Sequence, residues 1–122
     1  MDTNKMKKKI LPSQCPMVDF VNIISGKWAI PVLYRLIITN DAVRFGVLQR
    51  AMGTITQKEL TKQLRSFEAL GIVTRKIFSE MPLRVEYQIT ELGKTLKPTL
   101  DSLASWMNEH REELLDHDKY SK

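Results

Sequence analysis

Residues 44–93 constrain the fold more than any other part of this 122-residue chain. They read in order as a short helix, a turn, a capped helix, a strand, a tight loop, a second strand and the start of a new helix. The capped helix, residues 56–70, carries the clearest local signal. Thr56-Gln57-Lys58-Glu59 matches the capping box, in which a Thr hydroxyl and a Glu carboxylate satisfy free backbone N–H groups reciprocally. Gly71 supplies a left-handed cap at its other end. Steps of 100° per residue put Leu60, Leu64 and Phe67 on one face and Lys58, Lys62 and Arg65 on the opposite one. Gln57 and Thr61 fall on the flank. Residues 72–78 are β-branched and aromatic, so they read as a strand. Met81 and Pro82 mark a turn, and Val85, Tyr87 and Ile89 then alternate with Glu86 and Gln88 as in a half-buried second strand. The short connection makes the pair antiparallel.

Charge concentrates in the same stretch. Residues 44–84 hold eight Lys and Arg against three Glu, an excess of +5 that equals the formal charge of the whole chain. The amino terminus is also basic, with Lys5, Lys7, Lys8 and Lys9 against Asp2, whereas the end from Glu109 onward carries −2. A helix-turn-helix followed by a basic hairpin suggests a nucleic-acid reader, because neutralising phosphates drives such binding. Helix-turn-helix readers direct the amino-terminal part of their second helix at base edges in the major groove. Here that part offers Thr56, Gln57, Lys58, Thr61 and Lys62. Gln can pair with adenine, Lys can approach guanine, and a Thr methyl can pack on thymine. Arg65 lies further along, nearer phosphate. Arg75, Lys76 and Arg84 of the hairpin are placed to grip the neighbouring backbone or minor groove. The alternative is a solvated helix face on a module that binds proteins rather than DNA.

The flanks complete one domain. Residues 1–14 form a lysine-rich arm, residues 15–118 the folded domain and residues 119–122 a tail. A first helix starts at Pro16 and runs to about residue 25; Met17, Val18, Phe20, Val21, Ile23 and Ile24 cover more than one of its faces. A helix so apolar has to be buried on several sides, most simply in a dimer interface. Gly26 interrupts, a second helix covers about residues 28–39 with Pro31 in its first turn, and Asn40 and Asp41 end it. A third helix over residues 45–52 turns Phe45, Leu48 and Met52 to one side before Gly53. Thr90 caps a long final helix with the stripe Leu92, Leu96, Leu100, Leu103, Met107 and Leu114, which Pro98 kinks. The fold class is therefore mainly α with a small antiparallel β-hairpin.

Several function classes are excluded by what the chain contains. No apolar run has the length of a bilayer span, Arg35 interrupts the longest, and Lys7 to Lys9 precede no secretory segment, so a cytoplasmic protein without a membrane partner is expected. One Cys permits no internal disulfide. His110 and His117 lie seven apart beside Glu113 and Asp116, which is not metal-ligand spacing, and no metal or cofactor is expected. Trp28 and Trp106 are assigned to core or interface. No phosphate loop, nucleophile–base pair or paired carboxylates occur, so no catalytic residue is expected; a Cys15–His dyad has no spacing to support it.

Taken in order, the motifs resemble those of the HxlR-type transcriptional regulators, winged helix-turn-helix proteins related to the MarR group. The resemblance rests on Cys15-Pro16, Gly26-Lys27-Trp28, Arg44-Phe45-Gly46-Val47-Leu48 and Ile55-Thr56-Gln57-Lys58-Glu59-Leu60-Thr61. It continues through Leu64-Arg65, Leu70-Gly71-Ile72-Val73-Thr74-Arg75, Pro82-Leu83-Arg84-Val85-Glu86-Tyr87 and Thr90-Glu91-Leu92-Gly93. It departs at Ser25, where a Gly is usual, and at Pro31. The resemblance implies a bacterial source and a winged helix-turn-helix homodimer formed by the first and last helices. Two recognition helices would then sit in successive major grooves of a pseudo-palindromic double-stranded DNA operator. The expected interface residues are Met17, Phe20, Val21, Ile24, Leu103, Trp106 and Met107.

Cys15 precedes the helix that starts at Pro16, where the positive end of the helix dipole favours a thiolate. Some proteins of this type use a cysteine in this region to sense oxidants or electrophiles. With a single Cys, such chemistry would join two subunits or capture a small thiol or electrophile. The other reading is an inert, packed thiol.

Overall fold

The computed structural model describes residues 15–120, with side chains through residue 117. The basic arm of residues 1–14 and the last two residues of the tail lie outside the described residues. Helix α1 (Pro16–Ile23) opens with Pro16 at its first position and Cys15 as the extended cap residue (φ −130°, ψ 112°). Phe20, Ile23 and Ile24 turn inward against the core, while Met17, Val18 and Val21 face out. Gly26 turns the chain at φ 101°, and a Cβ there would stand 3.0 Å from Gln63 Nε2. Helix α2 (Ala29–Thr39) is the centre of the domain. Its stripe Ala29, Val32, Leu33, Leu36 and Ile37 is buried at helical spacing. Asn40 ends it in a left-handed conformation (φ 51°), which Asn tolerates better than most residues.

Strand β1 (Val43–Arg44) leads into α3 (Phe45–Met52), and Gly53 at φ 86° turns the chain toward α4 (Gln57–Ala69). The capping box is present in full. Thr56 N–H donates to Glu59 Oε1 at 2.9 Å, and Glu59 N–H donates to Thr56 Oγ1 at 3.1 Å. Leu60, Leu64 and Phe67 are completely buried. The far end closes as a Schellman motif: Ile72 N–H bonds the Phe67 carbonyl at 2.9 Å and Gly71 N–H the Glu68 carbonyl at 3.0 Å, with Gly71 at φ 76°.

Strands β2 (Val73–Phe78) and β3 (Arg84–Ile89) pair antiparallel in the register Val73↔Ile89 to Phe78↔Arg84. Their loop contains a cis Met81–Pro82 bond. The sheet has three strands rather than the two expected, in the order β1-β3-β2, because Val43 and Arg44 pair with Tyr87 and Glu86. A two-residue strand is too short to show a period of two, so sequence pattern could not reveal it.

Thr90 joins the elements at the base of the hairpin. Its N–H donates to the Ile72 carbonyl at 3.0 Å, and its Oγ1 lies 2.7 Å from the Gly71 carbonyl and accepts the Gly93 N–H at 3.1 Å. The single long final helix expected from Thr90 is in fact two. A short α5 (Glu91–Lys94) is followed by α6 (Lys97–Tyr120). Pro98 is the reason. Lacking an N–H, it cannot bond the carbonyl four residues back, but it suits the first turn of a fresh helix, where the structure puts it. Leu100 is buried, and Asp101 ties α6 to α2 through Tyr34 (2.6 Å) and is bridged by Lys97 (2.8 Å). From residue 102 to 117 every side chain is exposed except His110, which is half-buried. No helix among the described residues is long and apolar enough to cross a membrane.

Candidate nucleic-acid interface

The polar surface of helix α4 runs from an exposed outer side round to the hairpin. Lys58 and Lys62 are exposed on its outer side. Gln57, Thr61 and Arg65, four residues apart, turn instead toward the hairpin and line a cleft of about 480 Å3. Arg65, which the 100° projection groups with Lys58 and Lys62, also reaches into this cleft, which the two lysines do not line. It is half-buried, and its Nε is buried without a hydrogen-bond partner. Thr56 is committed to the helix cap through its hydroxyl. The Glu59 carboxyl is held below the ordinary carboxylate range, first by the Thr56 backbone N–H and then by the Thr56 side chain. A smaller contribution comes from Trp28, so the loop between α1 and α2 meets the start of α4 at Glu59 as well as at Gln63.

The hairpin forms the opposite wall of the cleft. Phe78 and Arg84 are register partners, and the Arg84 guanidinium lies 3.8 Å from the Phe78 ring centroid. Arg84 also pairs with Glu80 at 3.2 Å and Glu86 at 3.5 Å. Arg75 lies 3.5 Å from Glu68 on α4. Lys76 is exposed, with its Nζ 5.0 Å from the Phe78 centroid. The hairpin cations expected to be available to a polyanion are thus partly engaged within the wing. The spacing of Arg84 and Glu86 two apart on one strand, hence on one face, was the signal for this. Arg44 also lines the cleft, from β1, although nothing in its spacing marked it as a site residue. The loop tip is apolar: Met81 is 97% exposed and Leu83 64%.

The remaining candidates fall elsewhere. Cys15 is exposed and forms no disulfide; its carbonyl accepts the Val18 N–H at 3.0 Å. Of the expected interface residues, Ile24 belongs to the chain's own core and Phe20 packs against it. Met17, Val21, Leu103, Trp106 and Met107 are exposed, Met17 at 68% and Trp106 at 53%. Trp28 packs on the core with the Lys27 ammonium 5.2 Å from its ring. His110 Nδ1 stands 3.2 Å from Glu113 Oε1, and its ring lies 4.9 Å from that of Trp106. Among the described residues no group of three His, Cys, Asp or Glu could hold a metal ion.

The HxlR-like helix-turn-helix family model matches residues 23–114. YybR of Bacillus subtilis (strain 168), an HTH-type transcriptional regulator, is 38% identical over 110 residues, which is 88% of this chain and 86% of that protein. YkvN of the same organism, also an HTH-type transcriptional regulator, is 44% identical over 91 residues, 75% of each chain. Among solved structures, the redox regulator HypR in its reduced form superposes with a TM-score of 0.75 at 36% identity, covering 84% of this chain and 99% of HypR. These relatives are regulators, and HypR has the fold described above. The chain belongs to the HxlR-like helix-turn-helix family and is a transcriptional regulator with a helix-turn-helix DNA-binding fold.

Proposed function

We propose that the protein works in the cytoplasm as a homodimer that binds a pseudo-palindromic duplex operator, with α4 in the major groove and the β2–β3 hairpin as its wing. The observation that carries this reading is the outer face of α4. Lys58 and Lys62 lie there with Gln57 and Thr61 beside them at the edge of the cleft, and the two lysines have no ion-pair partner among the described residues. Gln57, Lys58, Thr61 and Lys62 read base edges, Thr56 fixes the helix start, and Arg65, Arg75, Lys76 and Arg84 attend to the backbone. Dimerisation is supported by exposed apolar side chains on the two end helices, Met17 and Val21 on α1 and Leu103, Trp106 and Met107 on α6. The test is selection of duplexes from a random pool by the wild-type protein. Changing both Lys58 and Lys62 to Ala should then weaken binding to the selected duplex at least tenfold with the fold intact. Unchanged binding would remove α4 from the interface. A winged-helix module that binds only proteins would select no duplex at all.

We also infer that Cys15 responds to an oxidant or small electrophile. It is exposed at the amino end of α1, beside the apolar face proposed to join subunits, and the chain is similar to a redox regulator, HypR. Diamide should release wild-type protein from DNA and leave Cys15→Ser bound. Equal release of both would leave Cys15 an inert surface thiol.

A further inference from the structure

The cleft between α4 and the hairpin has more cationic character than its own carboxylates balance. Arg44, Arg65, Arg75 and Arg84 all line it, from β1, α4, β2 and β3. Arg75 is answered by Glu68, and Arg84 by Glu80 and Glu86. Glu86 is the register partner of Arg44, yet it stands within ion-pair reach of Arg84 at 3.5 Å. Arg44 and Arg65 have no ion-pair partner among the described residues. Arg65 Nε and Arg84 Nε are in addition buried donors without a hydrogen-bond acceptor, an arrangement native structures rarely leave unfilled. Gln57 and Thr61 add neutral donors on the same stripe as Arg65. Guanidinium forks from separate elements facing one cavity suit an anion with several acceptor oxygens, and the planar fork matches phosphate.

We propose that this cleft is a seat for a single phosphate group, gripped by Arg65 and Arg44 with Arg75 on the far wall. The proposal rests on the DNA-binding reading when the phosphate is a backbone phosphodiester; free inorganic phosphate has the same chemistry. In the first case the seat sets the register of the protein on the duplex and reads no sequence, leaving discrimination to the base-reading residues of α4.

The experiment uses the full-length protein and a duplex that it selects from a random pool. Binding is measured from low to moderate salt for wild type, Arg44→Gln, Arg65→Gln and the double variant. The double variant should lower the slope of log K against log salt by about 0.9, the contribution of one phosphate, and keep the same base preference on reselection. Scanning a neutral methylphosphonate through the duplex should find a linkage that weakens wild type and leaves the double variant unaffected. An unchanged slope, an altered base preference, or equal sensitivity of both proteins at every linkage would overturn the backbone seat. Arg44 is exposed, so Arg44→Gln alone decides the matter if the Arg65 variants fail to fold. Inorganic phosphate at constant ionic strength provides the second arm: it should raise the melting temperature of wild type above that of Arg44→Gln if a free anion occupies the cleft. If wild type selects no duplex, the DNA-binding reading falls, and the phosphate arm alone supports or refutes the seat.

Discussion

Thr56 and Glu59 show how much a single residue pair can be read in advance. The box was legible because it depends only on chain-local groups, and both of its hydrogen bonds are present. Thr56→Ala should cost about 1 kcal/mol and lower the melting temperature by roughly 4 °C, measured by circular dichroism. Gly93 is different: nothing local marks it. A Cβ on it would stand 2.6 Å from the Ile72 carbonyl oxygen and run into Ile89, because α5 closes directly on the hairpin base. Gly93→Ala should therefore destabilise by about 1–3 kcal/mol in a chemical denaturation curve, although alanine is the better helix former. Arg65 was legible only in part for a related reason. A helical projection gives an angle, and only tertiary structure says that the hairpin stands on that side.

At the scale of elements, helices with a single apolar stripe were legible and interrupted ones were not. Periodicity located α2, α3 and α4, whereas the break before α6 needed Pro98 to be read as a start rather than a kink. The junction of α6 with α2 is held by the Tyr34–Asp101–Lys97 group. The Lys97 ammonium, then the Tyr34 hydroxyl, hold the Asp101 carboxyl below its ordinary value of 3.8. A carboxyl depressed in the folded state contributes stability that is present above its unfolded pKa and lost as pH falls through the folded one. The same pairing raises Tyr34 and Lys97, each mainly through its hydrogen bond to Asp101. That contribution is complete at neutral pH and is lost as pH rises through their folded values. Asp101→Asn should thus be less stable than wild type near neutrality, with the difference shrinking at both extremes of pH. A constant difference in melting temperature across the range would show that Asp101 acts by packing alone.

For the whole molecule, the domain core closes on itself while the outer faces of α1 and α6 remain uncovered. Phe20 and Ile24 serve the core and Met17 and Val21 do not, a partition that the crowded apolar pattern of α1 could not express from sequence alone. If two copies cover these faces, unfolding is coupled to dissociation, and the melting temperature should climb as protein concentration rises. A melting temperature independent of concentration from micromolar upward would indicate a monomer or a dimer that survives unfolding. Within one copy, the Thr90 junction has its own consequence. It fastens the end of α4, the base of the hairpin and α5 at one point, so the angle between helix and wing is set before any duplex arrives. If the wing meets a duplex as proposed, association forfeits little conformational entropy at its shoulder. Residues 79–83, the tip between the strands, lie outside that fastening.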